Sequence, residues 1–230
     1  MPKSQGPTSN KRSLAWSWTN TKSNPDAIDK LNFNGPITSE RISDPNWKNV
    51  EQTTKESIIH FFNEPERATT SPEGAAKLWR QHMIPLRKRN NKLVSPSCAS
   101  DPAGIAWLHK FMDLTKDVSA DYVGVHWYGE HSADIVKYLE DIHKRYPGKK
   151  LIVSEWACIA KDGRKVVDFT VDMCNWLDRT DWILEHSLFG AMTEPADGFV
   201  SVYAQLMNPD ASWTPLMRAY MNNQPMKKFP

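Results

Sequence analysis

Among the 230 residues there is no apolar run of about 18, the minimum for a helix that crosses a bilayer, so no membrane span is expected. Met1 to Arg12 is polar with no apolar stretch behind its charges, and no secretion signal is read there. Cysteine is scarce. Cys98, Cys158 and Cys174 are odd in number, so at least one is free or paired with another chain; Cys158 could bridge Cys174, or all three are packed and reduced. Asn-x-Ser/Thr acceptor sites for glycosylation are absent as well. Charge of one sign is missing too: 29 Lys and Arg stand against 27 Asp and Glu, a net +2, which offers no basic surface for nucleic acid. The densest basic stretch, Arg87-Lys88-Arg89, closes an expected helix, where cations suit the helix dipole. No segment has linker composition. A disordered lead over 1–11 and a single domain over 12–225 are expected, as a monomer without nucleic-acid or membrane partners. Cellular location is left open.

What the chain has in quantity is tryptophan, ten in all. Trp and Tyr fill cores, and their flat faces also stack on sugar rings. From Ile58 onward, strand-like runs alternate with helical ones. Ser71-Pro72 starts a helix with Ala75, Leu78, Trp79 and Met83 in its stripe, and Leu93-Val94-Ser95 is a short strand. Asp101-Pro102 opens a helix with Ile105, Leu108 and Met112, and the strand Tyr122 to Tyr128 follows. Ser132 caps a helix carrying Ile135, Leu139 and Ile142, which Pro147-Gly148 ends before the strand Leu151 to Glu155. A helix through Val166 to Leu177, a strand at Ser187 to Met192 and a helix over Trp213 to Met221 complete the series. Leu14-Ala15-Trp16-Ser17-Trp18 offers one more strand at the front. Alternation of this kind predicts an α/β fold with parallel strands and crossover helices.

Two glutamates carry the chemistry. Ile58-Ile59-His60-Phe61-Phe62-Asn63-Glu64-Pro65 and Leu151-Ile152-Val153-Ser154-Glu155-Trp156 are apolar runs that end in a carboxylate. Burying an acid where a strand meets its loop costs free energy, and two such acids at matching positions point to chemistry on a polar substrate. Three βα units of roughly 30 residues separate them, the spacing of strands 4 and 7 in a (β/α)8 barrel, whose strand ends open on one face. Glu66 and Glu194 lie near the same expected mouth. Trp79, Trp107, Trp176 and Trp182 are assigned to the core or to helix interfaces.

Phe61-Phe62-Asn63-Glu64-Pro65-Glu66, Leu93-Val94-Ser95-Pro96-Ser97, Val125-His126-Trp127-Tyr128-Gly129, Ser154-Glu155-Trp156-Ala157-Cys158 and Leu188-Phe189-Gly190-Ala191-Met192 stand in that order. Together they resemble glycoside hydrolase family 128, the alkali-sensitive-linkage type of endo-β-1,3-glucanase found mostly in fungi. The resemblance covers about residues 12 to 225. It implies a (β/α)8 TIM-type barrel, hydrolysis of β-1,3-glucan polysaccharide or oligosaccharide with retention, and no metal or other cofactor. It also implies Glu64 as acid/base and Glu155 as nucleophile, with Asn63 on the sugar 2-hydroxyl. His126 and Tyr128 would orient Glu155, while Trp127, Trp156 and Trp16 would stack on glucose units.

The front of the chain departs from this pattern. Residues 19–57 are too few for two βα units, which want about 60, and Asn24-Pro25, Asn34-Gly35-Pro36 and Asp44-Pro45 are turn signals. Strands 2 and 3 are therefore expected to be abbreviated or missing, with Leu31-Asn32-Phe33 or Pro36-Ile37-Thr38 as the one candidate strand. A non-catalytic or degenerate glucan-binding barrel is the alternative reading. A glycosidase of the same plan acting on β-1,4-linked mannan or cellulose is a weaker one.

Overall fold

A computed structural model describes residues 11–14, 51–52, 54–194, 198–222 and 224–228. Its strands are β1 (Arg12–Leu14), β2 (Ile58–His60), β3 (Lys92–Val94), β4 (Val123–Gly129), β5 (Leu151–Cys158) and β6 (Ile183–Leu188). The α-helices are α1 (Pro72–Leu78), α2 (Pro102–Leu114), α3 (Ser132–Arg145), α4 (Gly163–Arg179) and α5 (Pro215–Met221). One sheet has the order β1-β6-β5-β4 and another pairs β2 with β3. The pairs β1/β6 and β2/β3 are parallel, with Ser13 opposite Ser187 and Ile59 opposite Leu93. The α/β class with parallel strands is thus present. Trp16, the rest of the Leu14–Trp18 run and both candidate strands between 31 and 38 lie outside the described residues.

The chain forms two compact units, one of Met1–Asn20, Trp127–Gly148 and Val153–Pro230, the other of Thr21–His126 and Lys149–Ile152. In the second, Phe61 stacks on Phe62 at 4.0 Å and meets Trp79 at 5.3 Å, and Trp79 meets Phe111 edge-on at 5.6 Å. This cluster anchors the segment that leads to Glu64. Helix starts follow from short polar side chains: Ser71, Asp101, Asp162 and Thr214 each accept a hydrogen bond from a first-turn N–H. Each satisfies a donor that the helix itself leaves unpaired. After α1 the chain continues as a π turn (Trp79–Met83) and a 3-10 run to Arg89, ended by Asn90 at φ 59°. In the first unit α3 and α4 bury Leu139, Val166, Phe169 and Leu177, and Trp182 stacks on His143 at 4.5 Å while meeting Trp176 at 5.6 Å.

Several boundaries differ from the sequence expectation. Ser132 is the first residue of α3, and His131 takes the cap position without a side-chain bond. β5 runs three residues past Glu155, because Trp156, Ala157 and Cys158 are all buried. β6 is Ile183–Leu188, not Ser187–Met192. Gly190, at φ 121°, ends that run: a Cβ there would lie 2.8 Å from the Ala204 carbonyl oxygen, so the chain can turn only with glycine. Trp213 pairs with Met207 in an isolated antiparallel bridge ahead of α5. Ile105 is half-buried, and Trp107 and Phe111 face the core beside Leu108 and Met112. All three cysteines are free and buried, so Cys158 and Cys174 are not bridged.

Candidate active site

Glu64 is placed by three neighbouring segments. Ser97 donates its N–H to the Phe62 carbonyl (2.9 Å) and accepts from the Glu64 N–H (2.8 Å), in a parallel bridge opposite Asn63. Cys98, one residue on, accepts from the His126 N–H at 3.1 Å and pairs with Val125. The ends of β2, β3 and β4 are therefore in register, and His126 comes beside Glu64. Its Nδ1 lies 2.9 Å from Glu64 Oε1, and the His126 side chain is only 1% exposed. Glu64 itself sits at φ 39°, ψ 54°, left-handed backbone that a residue with a Cβ seldom adopts. Such strain costs on the order of 1–3 kcal/mol and collects where geometry serves chemistry. Burial pushes the Glu64 carboxyl up, but the hydrogen bond and charge of His126, with Arg67, hold it below its ordinary value. Arg67 is in turn paired with Asp101, the cap of α2.

Glu155 lies in mid-β5 and is half-buried. The hydroxyl of Tyr128, near the end of β4, donates to its Oε2 at 2.7 Å. Phe189 meets Tyr128 edge-on at 5.5 Å, and Phe199 does so from the loop after β6 at 5.0 Å. Tyr128, expected beside Glu155 from the sequence, is its hydrogen-bond donor. His126, expected on the same glutamate, is hydrogen-bonded to Glu64.

The remaining candidates divide. Asn63 and Trp127 are half-buried. Trp127 packs against Tyr138 at 5.5 Å, covers Gly129, and has a buried indole N–H without a partner among the described residues. Trp156 does not offer a face to a ligand: it is 0% exposed, and its Nε1 donates to His186 Nδ1 at 3.3 Å. Trp16 lies outside the described residues. Glu66 Oε1 accepts from the Ala99 N–H at 2.8 Å, which ties it to its own loop, and Glu194 is exposed.

Behind Trp156 is a polar network that the sequence reading missed. Because Trp156 donates to Nδ1, His186 carries its proton on Nε2 and gives it to Asp178 Oδ1 at 3.0 Å. Burial holds His186 below its ordinary pKa, in keeping with that neutral form. Asp178 also accepts from Nε and Nη2 of Arg12, at 3.1 and 2.6 Å. Cys174, Asp178 and His186 offer donor atoms all within 4.8 Å of one another. Both His186 nitrogens and the Asp178 carboxylate are already engaged, however, and burial pushes the Cys174 thiol well up, so the group reads as an ion-pair network and not as a metal centre. His186 stands between Glu185 and Ser187 in β6, so its sequence neighbours carried no signal of a buried network. Phe199, in an irregular loop, gave none.

The profile of the glycosyl hydrolase catalytic core matches residues 3–220. A solved exo-β-1,3-glucanase of glycoside hydrolase family 128, subgroup VI, from Aureobasidium namibiae is 43% identical, with a TM-score of 0.86 over 96% of this chain and 100% of that one. A subgroup V exo-β-1,3-glucanase from Cryptococcus neoformans is 29% identical, with a TM-score of 0.65 over 72% of this chain and 69% of that one. Alkali-sensitive linkage protein 1 of Schizosaccharomyces pombe is 26% identical over 147 residues, which are 60% of this chain and 27% of that protein. This chain thus matches about a quarter of the length of that relative.

Proposed function

This chain belongs to the glycosyl hydrolase catalytic core family, within glycoside hydrolase family 128, and on that premise we propose that it is a retaining exo-β-1,3-glucanase. The observation that carries the reading is the pair of glutamates, Glu64 in the bend that follows β2 and Glu155 within β5, each half-buried and each held by a partner, His126 for Glu64 and Tyr128 for Glu155. Glu155, fixed by the Tyr128 hydroxyl, attacks the anomeric carbon, and Glu64 gives a proton to the departing glycosidic oxygen. A glucosyl ester on Glu155 results. Water then attacks that carbon from the opposite face, Glu64 takes up its proton, and two inversions leave the configuration retained. Asn63 serves the sugar 2-hydroxyl and Trp127 packs along the glucan. These roles sit in one catalytic domain over 12–225, on the (β/α)8 plan expected from sequence.

The exo mode is proposed here in place of the endo mode of the sequence expectation, and what supports it is that the 43% and 29% identical relatives are named as exo-β-1,3-glucanases. Chromatography of products from laminarihexaose tests it. One small product is expected from the first time points, whereas a spread of intermediate lengths would return the reading to endo cleavage.

A general acid must hold a proton at the working pH. Glucan in the cleft excludes water, so burial, the largest influence on Glu64, strengthens against the pull of His126. His126→Asn removes that influence, and the Glu64 carboxyl rises. The alkaline limb of kcat/KM, which reports loss of the acid's proton, is then expected to move to higher pH. A limb that stays in place or moves down would remove His126 from control of the acid.

A further inference from the structure

Three of the four exposed large hydrophobic side chains among the described residues fall within five positions: Phe199, Val202 and Tyr203, 54%, 60% and 55% exposed. An apolar group concentrated in this way marks a contact surface more often than chance does. Its place in the fold says for what. The Phe199 ring centroid lies 5.0 Å from that of Tyr128, at an interplanar angle of 64°. Tyr128 is the donor to Glu155. Phe199 therefore stands one ring away from the carboxylate's own hydrogen-bond partner, with more than half of its surface open.

Tyr203 is placed by the same neighbourhood. A Cβ on Gly163 would meet the Tyr203 ring at 3.0 Å, so the ring rests on the first residue of α4. That residue follows the strand of Glu155 after a turn of four residues, 159–162. The two aromatic side chains share one short segment, and each leans on an element next to Glu155. The 3-10 turn Val202–Ala204, with Ser201 Oγ accepting from the Tyr203 N–H at 3.3 Å, holds the second of them.

Aromatic faces bind the C–H faces of sugar rings by burying apolar area on a rigid side chain with little entropy to lose. We propose that Phe199 and Tyr203 form a stacking platform for successive glucose units of β-1,3-glucan, Phe199 nearer to the Tyr128–Glu155 pair and Tyr203 farther along the chain. This rests on the hydrolase reading above for its ligand. A Phe199 that merely braced Tyr128 would act on turnover and leave affinity alone.

The test is calorimetric titration of laminaritriose and laminarihexaose into the full chain carrying Glu155→Gln, which keeps the ligand intact. Adding Phe199→Ala is expected to weaken both ligands about tenfold, with Phe199→Trp restoring them. Tyr203→Ala is expected to weaken only the hexaose. Because both side chains are exposed, the thermal midpoints stay close to that of the parent. Unchanged hexaose affinity in Phe199→Ala overturns the platform, and so does a loss confined to kcat when Phe199→Ala is made in the otherwise wild-type enzyme. Turnover of laminarin by the wild type checks the parent reading separately. An inert wild type whose binding still depends on Phe199 keeps the platform and removes the hydrolase; turnover with Phe199-independent binding does the reverse.

Discussion

Glu155→Gln is expected to lower laminarin hydrolysis roughly 10⁴-fold while the protein stays folded. The amide keeps the shape of the carboxylate and still accepts from the Tyr128 hydroxyl, which lies 2.7 Å from Oε2 in the native side chain. What it loses is the negative charge that makes the bond to the anomeric carbon. Azide offers a small anionic nucleophile in its place, and a variant blocked only at this step should regain part of its rate and release glucosyl azide of inverted configuration. Circular dichroism matching the wild type completes the result. Undiminished turnover would exclude Glu155 as nucleophile, and a rate lost together with the fold would return Glu155 to a structural role.

Arg12→Met is expected to cost about 3–5 kcal/mol of stability, a fall in thermal midpoint on the order of 10 °C. The Arg12 side chain is 4% exposed. It donates to Asp178 and to the carbonyls of Tyr220 and Gln224, both at 2.8 Å, so it ties β1 to α4 and to the C-terminal segment. Its removal leaves Asp178 a largely buried carboxylate without that guanidinium. Burial pushes the Asp178 carboxyl up, while His186 and Arg12 together bring it down to about 2. A folded value below the unfolded one, about 3.9, means that this stabilisation is complete above that pH and is lost as pH falls through about 2. In the variant the carboxyl rises and that stabilisation is reduced, so the gap between wild type and variant should narrow as pH falls from about 4 towards 2. A gap that does not change with pH would show that Arg12 acts through packing alone.

The alternation of strands and helices was legible because its signals are local. Ser71, Asp101 and the Pro after each mark helix starts that the structure shows, and the apolar runs at Ile58, Leu93, Tyr122 and Leu151 are strands. Boundaries that depend on tertiary contacts were not legible. β6 ends at Leu188 because Gly190 turns against the Ala204 carbonyl, and nothing near Gly190 in sequence announces residue 204. The site divides in the same way. Glu64 and Glu155 stood out as acids closing apolar runs, and Tyr128 came with the family resemblance. Trp156 was misassigned because adjacency to Glu155 suggested a shared cleft, whereas consecutive strand residues face opposite sides and its ring goes to His186. The partnership of His126 with Glu64 depends on the register of three segments that only the fold supplies. The left-handed backbone of Glu64 had no sequence signal either, since such conformations are usually marked by Gly or Asn.

The most direct test of the whole account is proton NMR of laminarioligosaccharide hydrolysis by the full chain, following the anomeric signal of the newly formed reducing end before mutarotation. Two glutamates acting in succession predict that the β-anomer appears first. An α-anomer appearing first, or a folded protein that binds the oligosaccharide and releases nothing, would contradict the proposed double displacement on Glu64 and Glu155.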